Sequence, residues 1–422
     1  MNRTFIVIAG IVVVILIAVA LVGIFGVGRV PPPPAAGTLS VWGFGDDENT
    51  WQDIINRFQA MHPNISVTYK KFDSVGYEDM LVNRLAEGKG PDIFFLPHTA
   101  VQKHLGKLAV LPVSAGGFSA GDFKNNFVDA AADDLITQKG EIIGMPMSMD
   151  TLALFYNKDI FNAAGIAEPP KTWDDAIKIS RALTRAGAGG DIRQSGLALG
   201  TAKNTEHSFE IVSALMLQKN AITPTGSGVS FGAGASEALL LYASFADPAS
   251  KNFSWTATMP NSLDAFSQGN AAMVLGFASD LARIRSRNPH LKFSIAPLPQ
   301  IAGSVRAASF GEYFFPAVSA ASANKQIAWQ FVSFAASRDG VKPYLDATRR
   351  APARRDLVAA GSLSEDLAVF WPQSLIARSW SVPDDGPARR LFGEAISAVV
   401  SHSVDAQNAV SRLESQLQLL AP

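Results

Sequence analysis

Strands and helices alternate along this chain, and this alternation constrains its fold more than any other feature of the sequence. Leu39–Trp42 has the apolar pattern of a buried strand, and apolar residues then recur at helical spacing up to Met61. Two further strand patterns, at residues 65–69 and 92–96, flank a helical pattern at 77–87. A βαβαβ order predicts a parallel sheet with helices on both faces and any ligand beyond the carboxyl ends of the strands.

A second alternation of strands and helices begins at Thr151, where LALFYN is typical of a strand. Thr172 and Asp175 form a predicted capping box at the start of a helix that runs to Arg185. Later segments continue the alternation: strands at 197–199, 271–275, 293–296 and 314–318, and helices at 206–218, 236–245, 325–337 and 405–420. A chain of 422 residues has room for two such α/β lobes, each with its own core.

An uncharged apolar run, Phe5–Val27, precedes the first strand. A helix of that length spans about 35 Å, enough to cross the hydrocarbon layer. We therefore predict a transmembrane anchor or signal segment within residues 1–30, followed by a Pro-rich linker at 31–37 that contains Pro31–Pro34. The run exceeds the roughly 7 to 15 apolar residues of a cleavable signal, which favours an anchor, and the cleaved alternative stays open. In both cases the body is exported.

Composition excludes several classes of function. The chain has no cysteine, so an exported fold must be held by core packing without disulfides. The formal net charge is −1 and no basic cluster is long enough to follow a phosphate backbone, which argues against nucleic acid as a partner. Six histidines are scattered without zinc-ligand spacing, so no metal site and no cofactor are predicted.

No motif supports catalysis. The segment GVSFG at 228–232 matches a nucleophile elbow in letters, but a turn-rich loop precedes it instead of a long strand. Gly43-Phe44-Gly45 lacks the third glycine of a dinucleotide fingerprint. The alternative of a surface carbohydrate-processing enzyme would need Asp46, Asp47 or Glu48 as acid and base. We expect a protein that is not an enzyme and has no catalytic residue.

Five segments occur in an order that resembles one known family. They are LSVWGFG from residue 39, GKGPDIFFLP from 88, IIGMPMSMDTLALFYNKDIFNAAGIAEPPKTWDDAIKISRALT from 142, FSQGNAAMVLG from 266, and SFGEYFFPAVSAASANKQIAWQFVSF from 309. Together they resemble the family 1, maltose-binding-protein-like, extracellular solute-binding proteins. The resemblance covers nearly everything from Leu39 onward.

The resemblance implies a type II periplasmic-binding-protein fold with two lobes, each a sheet flanked by helices. It divides the chain into an N-lobe at 38–149 and 298–337 and a C-lobe at 150–297 and 338–422, with crossings near Ser148 and Ala296. It also implies a monomer on the extracytoplasmic face of the membrane that delivers a carbohydrate to the permease subunits of an ABC transporter by hinge closure. A non-sugar solute such as a polyamine remains the alternative.

Candidate ligand contacts come from two arguments. Trp42, Phe44 and Asp46 follow the first strand, where an α/β sheet meets its ligand, and Trp255 and Trp371 do not fit helical core patterns. Planar rings suit the apolar face of a sugar, and carboxylates suit its hydroxyls.

The resemblance adds four further positions. Asp150 matches an acidic ligand-binding residue of the family, and Phe277 roughly matches a stacking aromatic that is more often tryptophan. The loop after the second crossing brings Glu312 and Tyr313. We expect an uncharged mono- or oligosaccharide, while the basic segment TRRAPARR at 348–355 could carry one arginine into the cleft.

Overall fold

A computed structural model describes residues 36–112, 118–225, 228–361 and 364–420. The predicted membrane segment Phe5–Val27 and the Pro31–Pro34 part of the linker lie outside the described residues. Within the described ranges, every helix is too short or too polar to cross a membrane.

The fourteen described strands form two main sheets, a small hinge sheet and a hairpin. They are β1 (Gly37–Phe44), β2 (Ile65–Phe72), β3 (Ile93–Pro97), β4 (Asp150–Thr151), β5 (Ala153–Asn157), β6 (Arg185–Ala186), β7 (Ile192–Leu197), β8 (Ile222–Thr225), β9 (Gly228–Phe231), β10 (Ala271–Gly276), β11 (Phe293–Pro297), β12 (Ser309–Glu312), β13 (Phe314–Val318) and β14 (Ala377–Arg378).

The described α-helices cover both faces of the main sheets. They are α1 (Glu48–Met61), α2 (Tyr77–Ala86), α3 (Val101–His104), α4 (Ala120–Asn126), α5 (Asp129–Leu135), α6 (Lys158–Ala163), α7 (Trp173–Leu183), α8 (Ser208–Gln218), α9 (Gly234–Ala243), α10 (Ser262–Ser267), α11 (Leu281–Arg287), α12 (Lys325–Ala335), α13 (Lys342–Thr348), α14 (Arg355–Val358), α15 (Phe370–Gln373), α16 (Asp385–Val400) and α17 (Ala406–Gln418).

The first lobe is built on a sheet of order β13-β3-β1-β2. Leu39 and Val41 alternate with less buried residues along β1, as expected of a strand with one face in the core. Helix α1 covers this sheet because its apolar side chains, including Trp51, Ile54 and Phe58, recur every three to four residues and are buried together. The βαβαβ expectation for this part of the chain is confirmed.

The second lobe is built on a sheet of order β11-β5-β10-β7-β6. Every residue of β10 is buried, which explains its continuous apolar sequence AAMVLG. The predicted cap of α7 is present, since Thr172 Oγ1 accepts from the Asp175 backbone N–H at 3.2 Å and donates to the Asp175 carboxylate at 2.7 Å. The two-lobed α/β fold is thus as the sequence predicts.

Both sheets are mixed, whereas the strand–helix alternation predicted parallel sheets. In the first lobe, β13 runs antiparallel to β3, and in the second lobe β5 runs antiparallel to both β10 and β11. The physical reason is the connection between lobes. Strands β5 and β13 enter their sheets directly from the hinge, so they run away from it, while strands reached through a helical crossover run toward it.

Three short strands form the hinge between the lobes. Strand β12 pairs antiparallel with β4, with Glu312 opposite Asp150 and Gly311 opposite Thr151. On its other side β12 pairs parallel with β14, with Ser309 opposite Ala377. The first two passages of the chain between the lobes, in β4 and β12, are therefore hydrogen-bonded to each other, and β14 joins the same small sheet.

The second passage lies later in the chain than the crossing predicted near Ala296. Leu298 and Phe310 are buried in the core of the second lobe, and Tyr313 is the first residue of this segment in the core of the first lobe. Gln218 fixes the intervening loop, because its side-chain amide donates to the carbonyls of Pro299 and Ala308, both at 3.0 Å. The crossing therefore falls at residues 311–313.

The third passage also lies later than the boundary predicted at 338. Val341, Tyr344 and Leu357 pack in the core of the first lobe, with α13 against α1. Leu367 and Phe370 are the next buried residues and pack on the second lobe. Helices α13 and α14 therefore extend the first lobe, because they bury apolar side chains in its core, whereas Ala351 between them packs on the second lobe.

Candidate functional site

The carboxyl ends of the central strands meet at the hinge. Pro97, the last residue of β3, pairs with Phe314, the first residue of β13, and Gly276, the last residue of β10, pairs with Ala153 of β5. In open α/β sheets, ligands bind beyond these strand ends. The candidate site is therefore the boundary between the lobes on the hinge strands.

Asp46 follows β1 and is held by partners from its own lobe. Its carboxylate accepts a hydrogen bond from the Tyr344 hydroxyl at 2.9 Å and pairs with the Arg350 guanidinium at 3.1 Å. The Tyr69 hydroxyl donates to its backbone carbonyl at 3.1 Å. One arginine of the basic segment 348–355 does reach this region, and it neutralises the carboxylate that was expected to face a ligand.

The aromatic side chains of β1 are partly buried beside these partners. Trp42 packs on Phe72 with ring centroids 4.8 Å apart. Phe44 contacts Tyr77 and Phe314, each also at 4.8 Å. Both predicted residues thus keep some exposed ring surface at the carboxyl end of β1.

Asp150 lies on the hinge and is buried against the second lobe. Its carboxylate accepts hydrogen bonds from the backbone N–H groups of Thr151 and Ala278, both at 2.9 Å, and of Ser279 at 3.0 Å. Burial raises the pKa of this carboxyl, and the backbone donors oppose that shift. Asp150 therefore joins the first hinge passage to the start of the helical turn that precedes α11, which is a structural role.

Trp255 and Phe277 lie in the core of the second lobe, and each is 0% exposed. The Trp255 indole N–H donates to the Asn204 side-chain oxygen at 3.0 Å, and the Phe277 ring meets His207 edge-on at 4.8 Å. Neither offers a ring face to a ligand. The expectation that they stack on a sugar is corrected to a role in packing.

Trp371 is half-buried and lines a cavity of about 330 Å³ between the lobes. Arg350, Leu345 and Leu357 line it from the first lobe, and Leu367 from the second. The Trp371 indole nitrogen is buried and has no hydrogen-bond partner among the described residues. Of the predicted aromatics, Trp371 faces a cavity next to the Asp46 ion pair.

Tyr313 connects the hinge to the first lobe and is almost fully buried. Its hydroxyl donates to the Asp134 carboxylate at 2.9 Å, and its ring stacks on His98 at 4.8 Å. Ser379, just after β14, donates to the same carboxylate at 2.6 Å. Asp134 therefore ties the second hinge passage to the segment that follows β14.

Glu312 stands apart from the other predicted acids. Its carboxyl has no hydrogen bond or ion pair within the described parts of the chain. Burial, reinforced by the negative charge of Glu210, raises its pKa to about 7, against the opposing influence of Arg389, His207 and His98.

Arg389, near the start of α16, is committed to two carboxylates of the hinge region. It forms a short ion pair with Glu210 and another with Asp385 at 2.8 Å, and its guanidinium lies over the Phe209 ring at 4.8 Å. Glu210 is 1% exposed, and its second carboxylate oxygen has no hydrogen-bond partner among the described residues.

His207 caps α8 in a left-handed backbone conformation, with φ of 58°. It bonds to the Asp280 carboxylate at 2.8 Å. Burial lowers its pKa, but the Asp280 hydrogen bond and charge outweigh burial and raise the pKa to about 9. His207 is therefore a cation at neutral pH.

Lys103 forms an ion pair between the lobes. Its ammonium lies 2.7 Å from Glu78 of its own lobe and 3.1 Å from Asp384 of the second lobe, and His104 contacts the same Glu78 carboxylate at 2.9 Å. The lobes are therefore in direct polar contact near the start of α16.

Sequence reasoning missed Glu210, His207, Arg389 and His98. A signal for two of them existed in the order His207–Glu210 at a helix start, where an acidic side chain interacts favourably with the helix dipole. Arg389 and His98 gave no such signal, because their neighbours come from distant parts of the chain.

The described residues contain no group of His, Cys, Asp and Glu that could hold a metal ion. Two of the three acids considered for catalysis are engaged, since Asp46 pairs with Arg350 and Asp47 pairs with Lys71 at 2.6 Å. This arrangement does not leave a free acid and base beside each other at the end of β1.

Comparison with known proteins gives a family. The model of the family described as bacterial extracellular solute-binding protein matches residues 44–342. A protein of Brucella abortus named as a binding protein is 24% identical over 292 residues, covering 68% of this chain and 69% of that relative. The lactose-binding protein of Rhizobium radiobacter is 27% identical over 156 residues, 35% of this chain and 36% of its own length.

Solved structures share the fold. The sugar-binding protein MalE from Xanthomonas citri has a TM-score of 0.76 at 19% identity, covering 91% of this chain and 97% of that chain. UgpB from Mycobacterium tuberculosis, solved with glycerophosphocholine, has a TM-score of 0.70 at 18% identity, covering 92% and 98%. At these identities the likeness concerns the fold.

Proposed function

The chain belongs to the bacterial extracellular solute-binding protein family, and on that premise we propose that it binds a carbohydrate between its lobes and delivers it to an ABC transporter permease. The observation that carries the proposal is the hinge of β4, β12 and β14, on which two α/β lobes face each other. Such a hinge allows closure around a solute, and the affinity then equals the free energy of the interactions formed in the closed state minus the cost of ordering that state.

The side chains at the boundary between the lobes support a ligand with many hydroxyl groups. Glu312 has an unengaged carboxyl among the described residues, and Trp42, Phe44 and Trp371 keep partly exposed rings. Carboxylate oxygens accept hydrogen bonds from hydroxyls, and a ring face covers the apolar side of a sugar. The relatives named for lactose and sugar binding agree with this class of ligand.

We propose further that the protein acts as a monomer, without catalysis, on the outer face of the cell membrane. The support for anchoring is the uncharged run Phe5–Val27 and the prolines that follow it. A membrane fraction washed with alkaline carbonate should retain the protein if the run is an anchor. Release of the protein into the wash would show that the run is removed.

A thermal-shift screen against sugars, polyols, amino acids and polyamines tests the ligand class. A ligand at 100 times its dissociation constant adds about 2.7 kcal/mol to the stability of the binding lobes. We expect at least one sugar to raise the melting temperature, while the amino acids leave it unchanged. If a polyamine raises the melting temperature and no sugar does, a polyamine becomes the proposed ligand in place of a carbohydrate.

A further inference from the structure

The cavity beside Trp371 has an apolar wall that both lobes build. Leu345 and Leu357 contribute to this wall from the first lobe, and Leu367 contributes from the second. Trp371 is half-buried, but its indole nitrogen is buried, so the part of the ring that remains exposed is carbon. Apolar surface of this kind gains free energy when an apolar group of a ligand covers it.

The polar groups next to this wall already have partners or are hydrated. Arg350 lines the cavity, and its guanidinium pairs with the Asp46 carboxylate at 3.1 Å. Lys342 also lines it and pairs with Asp339 at 2.8 Å. The other charged residues of the described lining are exposed to solvent: Asp346 and Arg349. A sugar hydroxyl placed against the apolar wall would lose hydrogen bonds to water without gaining equivalent ones, so the cavity suits an apolar group better than a sugar ring.

The cavity adjoins the place where the sugar is expected to bind. The Arg350 side chain joins the two, because it lines the cavity and also contacts Asp46, which follows β1. The Tyr344 hydroxyl donates to the same carboxylate at 2.9 Å, and the next residue, Leu345, belongs to the cavity wall. The partly exposed ring of Phe44 ends β1 just before Asp46. A group attached to a sugar at the end of β1 can therefore reach the cavity.

We propose that the carbohydrate carries an apolar substituent, and that the cavity beside Trp371 binds this substituent. This inference rests on the proposed function and narrows it from any sugar to glycosides with an alkyl or aryl group. It also assigns the Trp371 ring to the substituent instead of the sugar. The cavity volume of about 330 Å³ holds about ten carbon-sized groups at about 30 Å³ each, which is enough for a butyl or phenyl group.

Matched glycosides test the proposal by isothermal titration of the full-length protein in lipid nanodiscs, because detergent tails would compete for an apolar cavity. The methyl, butyl and phenyl glycosides of glucose, galactose and mannose are compared, each in both anomers, and protein-free nanodiscs supply the blank. For at least one sugar, the butyl or phenyl glycoside should bind about tenfold more tightly than the methyl glycoside, since each buried methylene contributes a factor of about four.

Two neighbouring alanines after α14 supply a filling variant and its matched control. Both are exposed, and Ala360 is among the described residues that line the cavity, whereas Ala359 is not. Ala360→Trp should fill the space, so the butyl and phenyl glycosides should lose their advantage over the methyl glycoside. Ala359→Trp should keep the full advantage. Trp371→Ala removes part of the wall and should also reduce the advantage, and circular dichroism of all three variants should match the parent.

The outcomes separate this inference from the proposed function. If a sugar binds but its methyl, butyl and phenyl glycosides bind equally well, or if the preference survives both Ala360→Trp and Trp371→Ala, the apolar substituent is wrong and the proposed function stands. If free butanol or phenol binds as tightly as the matching glycoside, the cavity is an independent apolar site and the inference is again wrong. If no sugar or glycoside binds, both the inference and the proposed function are wrong.

Discussion

Replacement of Glu312 by glutamine should stabilise the protein, and more so at high pH. In the folded protein the carboxyl pKa is about 7 instead of its ordinary 4.5, because burial and Glu210 disfavour the ionised form. The folded state therefore binds more protons than the unfolded state between these values, so stability falls as the pH rises through them. Between about pH 5 and about pH 8 the loss is at most about 2.5 kcal/mol, and water entering the hinge should reduce it to about 1 to 2.

Glutamine cannot ionise, so Glu312→Gln should escape this loss. Thermal or urea unfolding should show the variant close to the parent near pH 5 and about 1 to 2 kcal/mol more stable near pH 8. The exposed control Glu168→Gln should change little at either pH, as expected of a surface pair. A variant that is less stable than the parent near pH 8 would show that the Glu312 carboxylate has a favourable partner in the protein, and would refute the reasoning.

Three further perturbations test the assignments made above. Asp150→Ala should lower the free energy of unfolding by about 1 to 3 kcal/mol even without ligand, because three backbone N–H groups lose their acceptor; an unchanged melting temperature would contradict this. Trp255→Ala should cost about 3 to 5 kcal/mol in chemical unfolding, since it empties a fully buried site, and a small effect would mean that the ring is more exposed than described. Asp384→Asn should cost under about 1 kcal/mol but increase the radius of gyration in solution scattering, because the Lys103 pair between the lobes is lost; an unchanged radius with ligand-free protein would show that the pair does not hold the lobes together.

The fold could be predicted from sequence where short-range patterns carry it. Period-2 and period-3.6 apolar spacing identified β1 and α1, and the Thr172 cap marked the start of α7. The crossings were placed too early because the loop of residues 299–308 and helix α13 have patterns that fit either lobe. Which lobe they join depends on partners far away in sequence, such as Gln218 for the loop and α1 for the helix.

The candidate site was less predictable, and the reason is visible in its residues. Trp255 was chosen because it does not fit a helical core pattern, and Phe277 because it roughly matches a stacking aromatic of the family, but both side chains fill the core of the second lobe. Asp150 was correctly placed on the hinge, yet its three backbone partners could not be deduced from sequence. Glu312 remains a candidate because its carboxyl has no hydrogen bond or ion pair within the described residues.

The threefold passage of the chain between the lobes has a consequence for how the protein is made. The first lobe needs β13 and α12 to complete its sheet and core, and the second lobe needs α16 and α17, which pack on α8 and α9. Neither lobe can therefore finish folding until these later elements have been synthesised. Delayed folding keeps an exported chain extended enough to be threaded through a translocation channel, and each lobe then matures on the far side of the membrane once the residues that complete its core have arrived.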